Sequence, residues 1–404
     1  MKTFLSIACI FATLVVHSQK PEANKIREHI TVLANDSLQG RGTGSIGERK
    51  AATYVESQFK WLGLPPRGEQ NSYRQSFEFK SGVHGTGEPG TANNVIAFLD
   101  NGAAATIIIG AHYDHLGLGT EASSLDANPQ GKIHNGADDN ASGVAGVLEL
   151  ARYFKTNKTK EKYNFLFLCF SGEELGLYGS KYFTEHPTID LATVNYMINL
   201  DMVGRLDPKN GISVSGSGTS PGWEPLLKKL STAEVTIKTD SSGTGPSDHT
   251  SFYLKNIPVL HFFTGSHSDY HKPSDDVEKI NAEGEVAVLN VIIQLIEAVD
   301  SEPKLAFLKT KSKSMGSARA FKVTMGVMPS YSSSEAGLKV DGVSEGKPAQ
   351  KAGILTGDLI VQIGDLPIKD IQAYMEALGK FEKGQTVPVK VLRDGKELTL
   401  KVEF

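Results

Sequence analysis

The chain has almost no cysteine. Two occur in 404 residues, Cys9 and Cys169. Only Cys169 remains once an N-terminal leader is removed, so no internal disulfide can form and stability must rest on core burial. An excess of one charge is also lacking: 42 Lys and Arg stand against 46 Asp and Glu, a formal net charge of -4. Nothing in that balance points to nucleic acid or to an anionic membrane surface. A Walker loop is missing, as is a dinucleotide fingerprint between a strand and a helix, which removes phosphate-cradling NTPases and Rossmann oxidoreductases. No apolar run approaches the roughly 20 residues of a membrane span. The first 18 residues carry Lys2, the apolar Phe4 to Val16 run and the small-residue ending at Ser18. They read as a secretory signal peptide, so the mature chain is expected to be secreted or periplasmic. Lipoprotein attachment through Cys9 is the weaker reading, because the segment before it is short and Ser6 replaces the usual aliphatic residue.

What is present is a core and a pattern. Hydrophobic residues make up 39% of the chain, enough for two or three domains at this length. Residues 25–63 read as helical, broken by the glycine-rich LQGRGTGS. Extended apolar runs follow at Asn94 to Leu99, Thr106 to Gly110, Tyr163 to Phe170, Val194 to Leu200 and Ile257 to Phe263. Continuous β-rich runs separated by helical stretches predict an α/β domain, a mostly parallel mixed sheet flanked by helices. Cys169, inside FLFLCF, reads as a packed thiol.

In such sheets ligands bind beyond the strand ends, and the ionisable residues fall there. TIIIG is followed by His112, Asp114 and His115; FLFLCF by Glu173 and Glu174; VNYMINL by Asp201 and Arg205; and IPVLHFF by His267, Asp269, His271 and Asp275. The turn NGADDNASG adds Asp138 and Asp139, two adjacent acids that repel unless a cation or donors compensate them. Imidazoles with several carboxylates and no thiolate suit Zn²⁺ or a similar ion. The set exceeds what one tetrahedral ion needs and fits two ions sharing a carboxylate, with Asp138 as the expected bridge. His112/Asp114 and His271/Asp275 read as ligand-and-orienter pairs.

AHYDH, NGADDNASG, SGEELGLYGS, NLDMVGR, SDHTSF and YHKPSDD resemble, in order and spacing, the motifs of the co-catalytic zinc aminopeptidases. That family includes the bacterial leucyl aminopeptidases and has glutamate carboxypeptidase and glutaminyl cyclase among its relatives. The resemblance covers roughly Ile26 to Val299 and implies the zinc-exopeptidase fold. It implies that one zinc takes His112 and Asp201 and the other Glu174 and His271, with Asp138 shared. Glu173 is implied as general base, a cis peptide between Asp138 and Asp139, and His249 as a group near the tetrahedral oxyanion. His115, His134 and His267 fall outside the matching positions and read as histidines beside the site or on the surface. Arg205 orients Asp201, meets substrate or makes a surface ion pair. The polar insertion Thr120 to Lys132 either shapes access or is a loop without a role. Both His112 and Asp201 are present, which favours two metals and hydrolysis over the single-zinc cyclases.

A second domain follows. Residues 303–318 read as a basic linker between a peptidase domain over 19–302 and a small β-rich domain over 319–404. KAGI…GD, Met325-Gly326-Val327 and the Arg393-Asp394-Gly395-Lys396 hairpin resemble a PDZ domain of the bacterial secreted-protease type. The resemblance implies capture of a peptide C-terminus or partner protein; a stabilising or dimerising role stays open. The expected function is a di-zinc aminopeptidase acting on peptides. A carboxypeptidase or amidase on the same scaffold, and an inactive peptide-binding protein, are the alternatives.

Overall fold

The computed structural model describes residues 20–81, 88–120, 123–233, 235–300, 302–310, 323–329, 336–343, 346–369 and 371–404. The leader, with Cys9, lies outside the described residues, as do residues 311–318 of the expected linker. No helix among the described residues is long and apolar enough to cross a membrane.

Eight strands form the first sheet: β1 Arg74–Lys80, β2 Pro89–Leu99, β3 Thr106–His112, β4 Asn164–Phe170, β5 Val194–Leu200, β6 Ile212–Ser215, β7 Ile237–Asp240 and β8 Val259–Phe263. Their spatial order is β1-β2-β4-β3-β5-β8-β6-β7. The central four, β4, β3, β5 and β8, run parallel, while β2 and β6 join them antiparallel. Every residue of β3, β4 and β5 is buried, because side chains alternate between two covered faces. Ile107, Ile109, Phe165 and Phe167 enter one core with helices α1 Ala23–Leu33, α2 Ile46–Trp61, α3 Gly143–Thr156 and the long helix Ala282–Val299. Ile108, Leu166, Leu168 and Phe170 enter the other, under α4 Tyr178–Glu185 and the short helix His249–Tyr253. Two-sided burial explains why those runs are continuously apolar. The strands absent from the sequence reading are β1, with period-two burial, and the four-residue β6 and β7.

The basic stretch after Asp300 is bound to this domain as far as Thr310. Leu305 N–H donates to Asn195 Oδ1 (2.7 Å), Leu308 N–H to the Thr219 carbonyl (2.8 Å) and Thr310 N–H to the Tyr253 hydroxyl (2.9 Å).

The C-terminal sheet has strands Val327–Pro329, Leu338–Val343, Leu359–Ile363, Thr386–Arg393 and Lys396–Glu403, with Leu366–Pro367 paired beside the third. Val340, Ile360, Ile363, Val389, Val391 and Val402 form its core with Tyr374, Ala377 and Leu378 of the expected helix. Arg393 and Lys396 pair across the hairpin turn.

Candidate metal centre

The carboxyl ends of the parallel strands deliver the site. His112 is the last residue of β3, Glu173 and Glu174 stand in the turn after β4, and Asp201 follows β5 directly. Buried Arg41, from the LQGRGTGS loop, ties two of the turns together. Its guanidinium donates to the carbonyls of Tyr113 (2.8 Å), Leu33 and Asn135 (2.6 Å each) and Gly136 (2.9 Å). The sequence reading missed it, although an arginine between Gly40 and Gly42 in a loop was the available signal.

The acid turn corrects the expected bridge by one residue. Asp138 is engaged elsewhere: its Oδ1 accepts from Gly204 N–H (2.8 Å) and Ser142 Oγ (3.0 Å), and its Oδ2 lies 3.1 Å from His267 Nε2. Both oxygens are already committed. Asp139 takes the shared place, with Oδ1 3.5 Å from His112 Nε2 and Oδ2 3.2 Å from His271 Nε2. The cis peptide likewise lies at Asp139–Asn140, not at Asp138–Asp139. Asp275 orients this turn rather than His271, since its Oδ2 accepts from the N–H groups of Asp138 (2.9 Å) and Asp139 (3.1 Å).

Around Asp139 the donors form two groups. Ligand atoms of His112, Glu173 and Asp201 lie within 4.8 Å of one another, as do those of His115, Asp139 and Glu174. His112 Nε2 is 3.6 Å from Asp201 Oδ1, and His271 Nε2 is 3.3 Å from Glu174 Oε2. These separations match the edge of about 3.4 Å of a tetrahedron with Zn–N or Zn–O bonds near 2.1 Å. Of the expected residues, His112, Glu173, Glu174, Asp201 and His271 are therefore brought together, and Asp138 is not. His249 is also absent from the cluster. It is fully buried, stacked on His261 with ring centroids 4.6 Å apart, and no hydrogen bond reaches either ring nitrogen. His249 thus stands apart from the donors, and His261 is the ring of this pair that approaches Asp201, at 3.9 Å.

The ligand rings are held from behind. His112 Nδ1 is 3.2 Å from the Asp114 carbonyl, and His271 Nδ1 is 2.8 Å from the Ser123 carbonyl. A carbonyl only accepts, so each Nδ1 carries a proton and Nε2 is the nitrogen that faces the cluster. The insertion thus gains a role, because Ser123 belongs to it. The Asp114 carboxylate instead accepts from Thr43 Oγ1 (2.8 Å) and Glu173 N–H (3.2 Å). Arg205 pairs with Asp269 at 2.8 Å, and His134 with Ser124 at 2.7 Å.

Electrostatics show a site short of positive charge. Among the described residues, the ion-pair contacts of Asp139, Glu174 and Asp201 are all to histidine. Burial pushes the Glu173 carboxyl well above its ordinary range. Burial opposes charge on His271, but Glu174 and Asp139 overcome it and raise the imidazole to about 9. Four carboxylates, those of Asp139, Glu173, Glu174 and Asp201, crowd one rim. Two divalent ions would balance their charge, and the donor types and spacings fit such ions.

An α/β sheet of this topology with a rim of imidazoles and carboxylates defines a metallopeptidase-like class, and the comparisons agree. Residues 94–296, half of the chain, match the model of peptidase family M28, and residues 323–404 match that of a PDZ domain. The chain belongs to peptidase family M28 and carries a PDZ domain. It is 29% identical over 227 residues to aminopeptidase YwaD of Bacillus subtilis (strain 168), a match covering 52% of this chain and 45% of that protein. The chain spans about half the length of the curated relatives it matches. Among solved structures, an aminopeptidase from Aneurinibacillus sp. strain AM-1 superposes with a TM-score of 0.55 at 19% identity, covering 72% of this chain and 96% of that one. Glutaminyl cyclase of Porphyromonas gingivalis gives 0.56 at 21%, covering 69% and 99%. At such identities these two likenesses speak for the fold.

Proposed function

We propose that the chain is a secreted or periplasmic two-zinc aminopeptidase whose PDZ domain holds a peptide C-terminus. The reading is carried by one observation: Asp139 stands between two donor groups at the strand ends, with Glu173 beside them. His112, Asp139 and Asp201 would hold one zinc, and Asp139, Glu174 and His271 the other. The chemistry such a pair supplies when bound is Lewis-acid polarisation of the scissile carbonyl and a more acidic water. Positive charge at those positions would draw the Glu173 carboxyl down into its ionised form. Glu173 then takes the proton of the attacking water and delivers it to the leaving amine. The boundaries proposed are a signal peptide over 1–18, a peptidase domain from 19 to about 310 and a PDZ domain from about 319, with the connecting segment between them.

A panel of aminoacyl-anilides, each paired with its N-acetylated form and assayed with chelator and after zinc add-back, tests the reading. Zinc-restored turnover of the free-amine substrates alone is expected. Equal turnover of the acetylated anilides would make the chain an amidase, turnover confined to N-acetylated peptides with a free C-terminal carboxylate would make it a carboxypeptidase, and peptide binding with no metal-dependent turnover would make it a binding protein.

A further inference from the structure

Three of the other donors are steadied at the far side, the two imidazoles by carbonyls and Asp139 through the N–H groups that donate to Asp275. Among the described residues, Glu174 has no such carbonyl or amide. Its contacts among the described residues are His271, at Oε2, and His115, whose Nδ1 lies 2.7 Å from Oε1. His115 is wholly enclosed and is fixed through its backbone, its N–H donating to the Arg41 carbonyl (3.2 Å). Gly136 makes room for the ring: a Cβ on that residue, which has φ of 55°, would fall 2.5 Å from His115 Cδ2.

We propose that His115 is a positioning residue for the second zinc site, donating its Nδ1–H to Oε1 of Glu174 so that Glu174 presents Oε2 alone. The inference rests on the two-zinc reading. A nitrogen lone pair facing a carboxylate oxygen at 2.7 Å is repulsive, so the proton stands between them. An Nδ1 that carries a proton cannot itself be a ligand. The nearest approach of that nitrogen to the shared carboxylate, 3.8 Å to Asp139 Oδ2, is beyond hydrogen-bond reach. With Oε1 tied back, the protein supplies three donors to this site, Asp139 Oδ2, Glu174 Oε2 and His271 Nε2. One position stays open, as catalytic rather than structural zinc sites require.

The test uses the full chain and three variants, His115→Asn, His115→Leu and His115→Ala, with Zn²⁺ bound in competition with a chromophoric chelator and Co²⁺ as the spectroscopic probe. Asn carries an amide N–H near the place of Nδ1, so its affinities and visible Co²⁺ band are expected to stay near wild type. Leu and Ala are expected to keep two ions at saturation, with one site weakened about 10- to 100-fold and the Co²⁺ band weakened as Oε1 joins the coordination. Two Leu and Ala results would overturn the proposal: loss of one ion even at saturating Zn²⁺, which would make His115 a ligand, or unchanged affinity and spectrum. A wild-type chain binding fewer than two ions would instead sink the two-zinc reading and the proposal with it. Failure of all three variants to fold, read by circular dichroism, would assign His115 to the core and also overturn it.

Discussion

In the peptidase domain, the carboxylates of Asp139, Glu174 and Asp201, which follow β3, β4 and β5, meet imidazoles. In the PDZ domain the one buried carboxylate among the described residues, Asp358, meets both Arg393 Nε and Nη2 at 2.8 Å. The second arrangement is complete as it stands, a bidentate pair on a sheet whose core is otherwise apolar. The first is incomplete without added charge. Burial of an acid is thus no sign of function by itself; what separates the two regions is whether the protein supplies the compensating cation.

The sharpest way to break this comparison is Glu173→Gln. We expect unchanged metal content with turnover lowered about 10²- to 10⁴-fold, measured as kcat beside metal analysis, and substantial residual activity would remove the base assignment. Next come the neighbours in the acid turn. Asp139→Asn should lose ions from both sites, whereas Asp138→Asn should keep two while binding them about 10- to 100-fold more weakly; equal metal content in the two variants would undo the one-residue correction. Chelation should then act on one domain alone. A metal present at 1,000 times its dissociation constant stabilises by about 4 kcal/mol, so calorimetry should show the peptidase transition falling and the PDZ transition unmoved.

The smallest effect sharpens the other side. Burial works to raise the Asp358 carboxyl, but Arg393 and the Leu355 N–H hold it below its ordinary range. A depressed carboxyl stabilises the fold above its unfolded pKa and loses that contribution as pH falls through the folded value. Asp358→Asn should therefore lower the PDZ transition modestly at neutral pH and flatten its acid limb, with no change in the peptidase transition.

How much of this was legible beforehand follows from where the information lies. The parallel strands could be read because burial on both faces demands continuous apolar runs, and the donor residues because they close those runs. β6 and β7 were not legible, since a run of four residues is too short for a period to stand out. Asp138 and Asp139 are chemically alike and adjacent, and only the backbone path of the turn decides which one faces the rim. His115 carried a signal, its place three residues after His112. The partner that gives it meaning is Glu174, from a different strand end. Asp275 was misassigned for the same reason, its contacts being to amides 136 and 137 residues away.

The docking of residues 304–310 shortens the tether to the second domain. Only the stretch from Thr310 to Val323 is left to link the two, and a chain of that length fully stretched reaches about 45 Å at most. A polypeptide bound at the PDZ domain would therefore be held within reach of the Tyr253 end of the helix that carries His249. Such tethering raises its local concentration around the peptidase domain, whatever its affinity for the catalytic rim.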